Sequence, residues 1–589
     1  MKTSPRWSRN PRNEKGAIRK KWAGRTSIAL IFPDVYSVGM SNLGLQSVYA
    51  GLNAEDRVVA ERFFVPNHQI TKFTQSPNHQ ITKSPNSLWL SEESNRPLKD
   101  FDLLLFSVSF ESNYQNMVKV LEAAGLSLRS EDRQDQEPIV LAGGIAVQIN
   151  PEPIAHFVDA FLLGDFEAIS GAFVSCLPEL TDQGLSRTER LKQLADNVPG
   201  VYVPIFYRPL YNALGDLVEW EYEQGFPFPV VPAIFIPNSQ SITPLVPHTK
   251  ILSPDSIFSN MFLIELARGC GRGCRFCAAG FVYRPPRQWP LDCLNAALQE
   301  RKDTDRVGLV GLEFLGREKI EQLCRRLLDE GLKLAFSSFR ADDITQDLVR
   351  LLKASDAKLA TIAPEAGSQR LRQIINKNLN EDVILEAAET LVSGGIPNLK
   401  LYFMLGLPFE TDEDAQAIVD LVDKIRRTVR PIGQSRGHLG SITVSVSTFV
   451  PKAWTPMQWA GAIKKSVLER RRRILEKGLR RLPNVKLQLD SVREAIFQTI
   501  LSRGDRRLAP VLEAVALRGV TLSKAMKEAG LSVDMYYKTL GADMLFPWEV
   551  IDHRVRREYL WEEWNRASRA KETAFCIPEI CDKCGACHI

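Results

Sequence analysis

The chain has no long hydrophobic run, and cysteine and histidine are scarce in it. No stretch approaches the roughly 18 apolar residues that a membrane-spanning helix needs, so we expect no membrane association. The basic N-terminus has no apolar signal core, which favours a cytoplasmic location. Only 10 of 589 residues are cysteine, which excludes a disulfide-rich secreted scaffold. With 44% hydrophobic and 25% charged residues, the composition also excludes a largely disordered chain.

The few cysteines are not evenly spread. Seven of the ten lie in two tight clusters, one in the middle of the chain and one at its end. In a reducing compartment such clusters indicate metal binding rather than disulfides. The other three, Cys176, Cys293 and Cys324, lie in apolar helical surroundings, and we expect them to be packing residues.

Charge is distributed as unevenly as cysteine. The net charge is +5, but segments 1–27 and 464–486 each carry a net +8, which leaves −11 for the rest of the chain. Each basic segment is either a solvated helix face or flexible arm, or an electrostatic footprint for RNA, DNA or another polyanion. The second interpretation makes an RNA or ribosomal component a candidate partner.

Alternating strands and helices predict an α/β domain over residues 28–199, doubly wound around a parallel sheet. In such sheets, ligands lie beyond the carboxyl ends of the strands. The residues at those ends are the candidate binding residues of this domain: Asp34, Ser107, Gly143, Gly144 and Gly164. The insert 66–100 contains PNHQITK twice, is polar and rich in proline, and is predicted to be disordered.

A second α/β pattern follows a Pro-rich connector at residues 200–255. Six strand–helix units over residues 256–450 predict a partial (β/α)6 TIM barrel rather than a full eight-fold one. Residues 451–575 are predicted to be a basic helical region. The chain then closes with a Cys-rich tail at 576–589.

The first cysteine cluster follows the first strand of the predicted barrel, where barrel enzymes place their chemistry. Cys270, Cys274 and Cys277 have the spacing C-x3-C-x2-C, with an aromatic residue before the last cysteine. A [4Fe–4S] cluster usually takes four cysteines, so three would leave one iron open to a small molecule. The alternatives are three loop cysteines without metal, or a zinc site that borrows a distant fourth ligand.

This loop resembles the signature of the radical S-adenosylmethionine (radical SAM) superfamily. The resemblance implies that Cys270, Cys274 and Cys277 hold a [4Fe–4S] cluster that binds and reductively cleaves S-adenosylmethionine (SAM) to a 5′-deoxyadenosyl radical. It further implies that motifs at the strand ends contact SAM through Ser338, Arg340, Glu365, Ser368, Arg370, Gly406 and Pro408. Arg372 and Lys377 are further candidates for binding the SAM carboxylate. One motif departs from the family, because Gly311-Leu-Glu313 stands where many relatives have Gly-Gly-Glu.

The α/β domain ahead of the barrel resembles the cobalamin-binding subclass of this superfamily. The whole chain outside the insert is similar to a largely uncharacterised family of B12-binding-type radical SAM proteins. The resemblance implies a flavodoxin-like, cobalamin-binding-type domain at 28–199. No Asp-x-His-x-x-Gly motif supplies a lower histidine ligand, and His156 is the domain's only histidine outside the insert. Cobalamin would therefore bind without a histidine ligand, or the domain has lost it.

The tail holds four cysteines within a short span: Cys576, Cys581, Cys584 and Cys587. Their spacing predicts a second metal site, either an iron–sulfur cluster or zinc. Cys584 to His588 also spells the haem c attachment pattern, which we attribute to coincidence because two further cysteines sit beside it.

Together these features predict a radical SAM enzyme that transfers a methyl or sulfur group, or rearranges its substrate. The substrate would be RNA or a ribosomal component, bound through segments 1–27 and 464–486. The resemblance also implies an electron donor such as flavodoxin or ferredoxin. The alternatives are a non-catalytic nucleic-acid-binding protein with structural metal sites and a scaffold that binds only zinc.

Overall fold

The structure, a computed structural model, describes residues 12–66, 89–235, 245–311, 317–578 and 580–587. Segment 1–11 of the basic arm, most of the predicted disordered insert (67–88), Glu313 and His588 lie outside the described residues. Within the described part of the chain, no helix combines the length and the apolar character that crossing a membrane requires.

The first domain is built on a six-stranded sheet. Its strands are β1 (Thr26–Phe32), β2 (Val58–Phe64), β3 (Leu103–Ser107), β4 (Ile139–Gly143), β5 (Ala160–Leu162) and β6 (Val201–Tyr202). Their order across the sheet is β2-β1-β3-β4-β5-β6, and β6 runs antiparallel to β5 while the other pairs are parallel. The order 2-1-3-4-5 is that of flavodoxin-like folds, whose ligand crevice opens between β1 and β3.

The described residues of this domain form seven helices: α1 (Tyr36–Gly39), α2 (Leu43–Ala54), α3 (Tyr114–Ala124), α4 (Ile145–Ile149), α5 (Phe166–Ser175), α6 (Leu177–Leu180) and α7 (Arg187–Asn197). Local caps fix where two of them begin. Asn42 accepts the Leu45 N–H at 2.8 Å, and Ser186 with Glu189 forms a capping box. These caps satisfy N–H groups that a helix start leaves open.

The predicted disordered insert and the basic N-terminal segment both have residues that fold against β2. Arg62 lies on β2 with only 1% of its side chain exposed, and it bonds Glu93 of the insert at 2.6 Å and Glu14 of the arm at 2.7 Å. Trp89 is also buried. The prediction of disorder is therefore wrong for residues 89–100, because a buried cation has to be neutralised by carboxylates from both segments. Residues 12–27 likewise pack on the fold and are not a free arm.

The connector contains an antiparallel hairpin of β7 (Tyr207–Tyr211) and β8 (Leu217–Tyr222). In the part of the second domain that the structure describes, seven strands run parallel: β9 (Phe262–Glu265), β12 (Arg306–Val310), β13 (Lys333–Phe336), β14 (Leu359–Glu365), β15 (Asn398–Leu405), β16 (Ile442–Thr448) and β17 (Val485–Leu489). A parallel bridge from Phe339 to Ile362 joins the first three strands to the last four. The six predicted strands are present in this TIM-barrel-like core.

The seventh strand, β17, corrects the prediction for residues 451–575. That region was expected to be helical, yet Val485, Leu487 and Leu489 alternate with exposed polar residues and pair with β16. Period-two alternation is typical of a strand with one buried face. The alternating pattern covers only five residues within a basic, helical stretch, which is too short to be recognised as a strand from the sequence.

The remaining helices belong to the second domain and to the region that follows it. They are α8 (Leu291–Gln299), α9 (Arg317–Asp329), α10 (Gln346–Ala354), α11 (Gln369–Ile374), α12 (Glu381–Ser393), α13 (Asp412–Ser435), α14 (Lys465–Leu479), α15 (Val492–Arg503), α16 (Ala509–Arg518), α17 (Leu522–Glu528), α18 (Asp534–Tyr537) and α19 (Arg557–Ser568). Helices α15 to α17 share one hydrophobic core with the first domain. Arg506 fixes this packing through Glu152 at 2.9 Å and the Tyr202 hydroxyl at 2.8 Å.

Candidate functional site

The three central cysteines lie on a loop that a short antiparallel ribbon closes at its base. The ribbon strands are β10 (Ala267–Arg268) and β11 (Arg287–Gln288), and the loop runs between them. Gly269 and Gly273 have φ of +85° and +72°, and a Cβ at Gly269 would meet the Tyr283 carbonyl at 2.6 Å. Glycine is therefore required for the loop to fold back on itself.

The thiol of Cys274 is buried beside two cations. Arg340 Nη1 lies 4.0 Å from Cys274 Sγ. Burial lowers the pKa of Lys377, but Glu365 and the Cys274 thiol more than offset this and hold that pKa above its usual value. Burial also raises the pKa of Cys277 to about 11, with Cys274 adding to the shift. Metal binding requires the thiolate forms, so a bound metal would have to displace these protons.

These surroundings fit an anionic iron–sulfur cluster. Three soft sulfur donors converge on one loop, and buried Arg340 and Lys377 supply positive charge next to them. Within the described ranges, no three candidate ligands are already arranged closely enough to hold a metal ion. The fit therefore rests on the donor chemistry and on the charge of the neighbouring side chains.

A cavity opens beside this loop at the carboxyl ends of β12, β13 and β14. Ser338, Arg340 and Glu365, three of the predicted SAM contacts, line it together with Lys377. The Lys377 ammonium donates to Glu365 Oε1 at 3.2 Å. Glu365 has φ of +67° at a register shift between β14 and β15. A strained carboxylate at a strand end is typical of a functional position.

The structure does not bring Ser368 and Arg370 into this cavity. Ser368 caps α11 and donates to Asp414 Oδ1 at 2.5 Å. Arg370 also bonds Asp414, and it donates to the Phe409 carbonyl at 2.9 Å. Arg372 is buried and donates to the backbone carbonyls of the turn that follows Glu365. These side chains hold that turn in place, whereas Lys377, beyond the short α11, reaches the cavity.

Gly406 and Pro408 form a separate turn at the end of β15. The Gly406 N–H donates to Glu410 Oε2 at 2.8 Å, and Glu410 also binds Arg471 of α14. Gly406 has φ of +88°. Burial raises the pKa of Glu410 to about 7, although Arg471 opposes the shift. Neither Gly406 nor Pro408 lines the cavity at Glu365, so their predicted contact stays a prediction.

A second cavity lies where the two domains meet. Of the residues predicted at the strand ends, Ser107, Gly143, Gly144 and Gly164 line it, and its volume is about 1120 Å³ with its open mouth included. Asp34 does not line this cavity. Its carboxylate instead accepts a hydrogen bond from the Asn113 side-chain amide at 3.0 Å. The described lining contains no histidine.

Sequence reasoning missed the ion cluster that borders this second cavity. Arg268 bonds Asp165 at 2.8 Å, Glu167 at 3.1 Å and Glu265 at 2.8 Å. Asp165 also pairs with Arg287. Arg268 stands two residues before Cys270, so the cluster ties the end of β5 in the first domain to the cysteine loop. The Gly-Asp-Phe-Glu sequence at 164–167 was the one local signal that could have pointed to it.

The four tail cysteines are neighbours in the described tail, although they are not arranged as a formed metal site. Burial raises the pKa of Cys576 to about 11; Arg284 opposes this shift, whereas the thiols of Cys581, Cys584 and Cys587 add to it. Their donor set suits either iron–sulfur or zinc.

Comparisons with known proteins agree with this arrangement. Residues 44–204 match the family described as "Radical SAM proteins, N-terminal", and residues 264–422 match "Radical SAM superfamily". Uncharacterized protein MJ0966 of Methanocaldococcus jannaschii is 31% identical over 421 residues, which cover 71% of this chain and 81% of that protein.

A further relative and a solved structure are less similar. A tRNA-2-methylthio-N(6)-dimethylallyladenosine synthase of Thermotoga petrophila is 23% identical over 179 residues, which span 27% of this chain and 40% of that enzyme. The structure of the cobalamin-dependent S-adenosylmethionine radical enzyme OxsB with aqua-cobalamin and S-adenosylmethionine bound aligns over 92% of this chain and 79% of its own, with 13% identity and a TM-score of 0.47.

The class of protein is now defined: it is a radical SAM enzyme. The evidence is the family matches together with a three-cysteine loop beside a cavity at the carboxyl ends of parallel strands. The chain belongs to the radical SAM superfamily, and the Methanocaldococcus jannaschii protein is its relative along most of both chains.

Proposed function

We propose that the chain cleaves SAM reductively at a [4Fe–4S] cluster held by Cys270, Cys274 and Cys277. When bound, that cluster supplies the electron that splits SAM into methionine and a 5′-deoxyadenosyl radical. The observation that carries the proposal is the convergence of Arg340, Lys377 and Glu365 on the cavity next to Cys274.

The side chains around the cavity have separable roles in this proposal. Glu365 accepts hydrogen bonds from the ribose hydroxyls of SAM, because a carboxylate can accept from both. Lys377 and Arg340 hold the SAM carboxylate and balance the thiolate charge, as buried cations do. Ser338, which is exposed at the mouth, contacts the methionine or ribose part. Gly406 and Pro408 shape the turn proposed to lie beside the adenine.

We further propose that the domain at 28–199 binds cobalamin without a histidine ligand and that residues 256–450, extended by β17, are the radical SAM partial barrel. Support comes from the flavodoxin-like strand order and from the cavity at its switch point. Ser107, Gly143, Gly144 and Gly164 would contact the corrinoid, because glycines leave room for a large ring to approach the backbone. Cobalamin would supply a carrier for a methyl group or a radical.

The reaction is tested by anaerobic incubation of the reconstituted chain with SAM and dithionite. We expect 5′-deoxyadenosine and methionine to accumulate in equal amounts, measured by chromatography, even without a second substrate. Corrinoid content, measured after purification from cells supplied with cobalamin, tests the first domain separately. A chain that binds iron and SAM but forms no 5′-deoxyadenosine contradicts the proposed reaction.

We propose that the product radical serves methyl or sulfur transfer to RNA or a ribosomal component in the cytosol. The Thermotoga petrophila synthase acts on tRNA according to its name, and α14 presents exposed cations. Not every cation on α14 is available, since Arg470 pairs with Asp412 at 2.7 Å and Arg471 binds Glu410. The candidate contacts are therefore the exposed Arg473 and Lys477 on α14 and the exposed Arg481 just beyond its end.

Replacing Arg473, Lys477 and Arg481 together with alanine should weaken tRNA binding and flatten its salt dependence. Each lost phosphate contact lowers the slope of log affinity against log salt by roughly 0.7 to 0.9. Fluorescence anisotropy between low and physiological salt measures this. The matched control replaces three exposed cations elsewhere, Arg208, Lys353 and Lys527. If both triple variants bind tRNA like the unchanged chain, α14 is not the contact surface.

A further inference from the structure

The Cys-rich tail is attached directly to the loop of the first three cysteines. The Cys576 N–H donates to the Gly271 carbonyl at 2.7 Å, and Gly271 is bonded to Cys270. A Cβ at Gly271 would lie 2.9 Å from the Cys576 carbonyl oxygen. The two backbones therefore meet at a position where only glycine leaves enough room.

Side chains of the loop reinforce this contact. Arg275, between Cys274 and Cys277, is fully buried and donates to the Lys571 carbonyl at 2.6 Å and to Glu563 at 3.0 Å. The guanidinium of Arg272 lies 4.6 Å from the centre of the Phe575 ring. The segment that leads to the tail cysteines is therefore held by buried hydrogen bonds as well as by backbone pairing, and it is an ordered part of the fold.

One buried arginine contacts both the backbone of the cysteine loop and the tail. Arg284 Nε donates to the Gly280 carbonyl at 2.6 Å, just after Cys277 in the loop. Arg284 also hydrogen-bonds Cys584 of the tail and donates to the Tyr559 hydroxyl at 3.3 Å. A single buried side chain therefore joins the cysteine loop to the tail.

We propose that the four tail cysteines hold a second iron–sulfur cluster that passes electrons one at a time to the cluster of Cys270, Cys274 and Cys277. This inference rests on the proposed function of that first cluster. From Cys576 to Cys270 the path consists of covalent bonds and the single hydrogen bond to Gly271. Four cysteines could also bind zinc. Because zinc has no redox chemistry, a zinc site could not pass electrons along this path.

Electrons balance in this scheme. A reduced low-potential carrier protein of the flavodoxin or ferredoxin class loses one electron to the tail cluster. The tail cluster returns to its oxidised state when it reduces the loop cluster by the same electron. That electron finally enters SAM, whose sulfur–C5′ bond breaks to give methionine and the 5′-deoxyadenosyl radical. The tail suits the entry step because Cys581 and Cys587 are only half-buried and Ile580 beside them is 81% exposed.

The test compares two reductants on the full, anaerobically reconstituted chain and on a Cys581→Ser/Cys587→Ser variant. Iron, sulfide and zinc are counted per chain, and reduction of the loop cluster is followed by rapid-mixing absorbance and by electron paramagnetic resonance. We expect the variant to lose about half of the iron. Reduced flavodoxin should reduce its loop cluster at least tenfold more slowly, whereas dithionite, a small reductant, should act at an unchanged rate.

A second variant keeps every cysteine. Gly271→Ala places a methyl group against the Cys576 carbonyl and should slow reduction by flavodoxin while both clusters remain. The matched control is Gly280→Ala in the same loop, where the nearest atom to the added methyl is 3.8 Å away, and it should behave like the unchanged chain.

The outcomes separate this inference from the proposed function. Zinc in the tail, or an unchanged rate with flavodoxin in the cysteine variant, overturns the relay even when dithionite still drives 5′-deoxyadenosine formation. Failure of the unchanged chain to form 5′-deoxyadenosine with dithionite counts against the proposed function instead.

Discussion

Replacing Cys274 with alanine is expected to remove the loop's iron–sulfur cluster and to abolish 5′-deoxyadenosine formation. The loop supplies three thiolates, and two cannot retain a cluster that already leaves one iron open. Cys274 is also the thiol beside Arg340 and Lys377, so its loss separates the cavity from the metal. The drop in activity should exceed the roughly 10- to 100-fold cost of changing a residue that only supports a ligand.

Electron paramagnetic resonance of the reduced chain and chromatography of the products measure this effect. The tail cluster must be counted separately, so iron is quantified in the Cys274→Ala chain and in the same change combined with Cys581→Ser/Cys587→Ser. The matched control is Cys293→Ala, a half-buried cysteine on α8 outside both groups. Retention of the loop signal and of 5′-deoxyadenosine formation by Cys274→Ala would show that the cluster lies elsewhere.

Much of the site was predictable because its signals are local. The three loop cysteines stand within eight consecutive positions, and each strand-end motif is a turn whose residues are neighbours in sequence. Ser338, Arg340 and Glu365 meet because parallel strands place their carboxyl ends at one edge of the sheet. The same reasoning placed Ser107, Gly143, Gly144 and Gly164 around a second cavity.

Other parts could not be predicted because they depend on contacts between distant segments. Arg370 and Lys377 looked equivalent on one candidate helix, but α11 ends at Ile374 and only Lys377 turns into the cavity. Disorder of 89–100 was inferred from composition, whereas its order follows from the buried Arg62 on a strand that had not been recognised. The tail contacts Gly271, so segments about 300 residues apart in sequence meet. The spacing of the cysteines carries no information about that contact.

Replacing Arg268 with alanine is expected to destabilise the junction between the domains by about 3–5 kcal/mol, the usual cost of breaking a buried ion pair from one side. Arg268 is 16% exposed and contacts Asp165, Glu167 and Glu265. Burial already raises the pKa of Glu265 even though Arg268 opposes the shift. Without the guanidinium, three buried carboxylates face one another, and Arg287 can compensate only the one at Asp165.

Urea unfolding of the metal-free chain at neutral pH measures the loss, and cluster content after reconstitution measures its consequence for the loop. We expect both to fall, because Arg268 immediately precedes the loop that begins at Gly269. The matched control is Arg208→Ala, whose partner Glu221 is 50% exposed and whose own side chain is 72% exposed. Exposed pairs contribute about 0–1 kcal/mol, so this variant should unfold like the unchanged chain. Equal stability of the two variants would mean that the carboxylates at the junction are protonated or solvated, and that the ion cluster does not join the first domain to the cysteine loop.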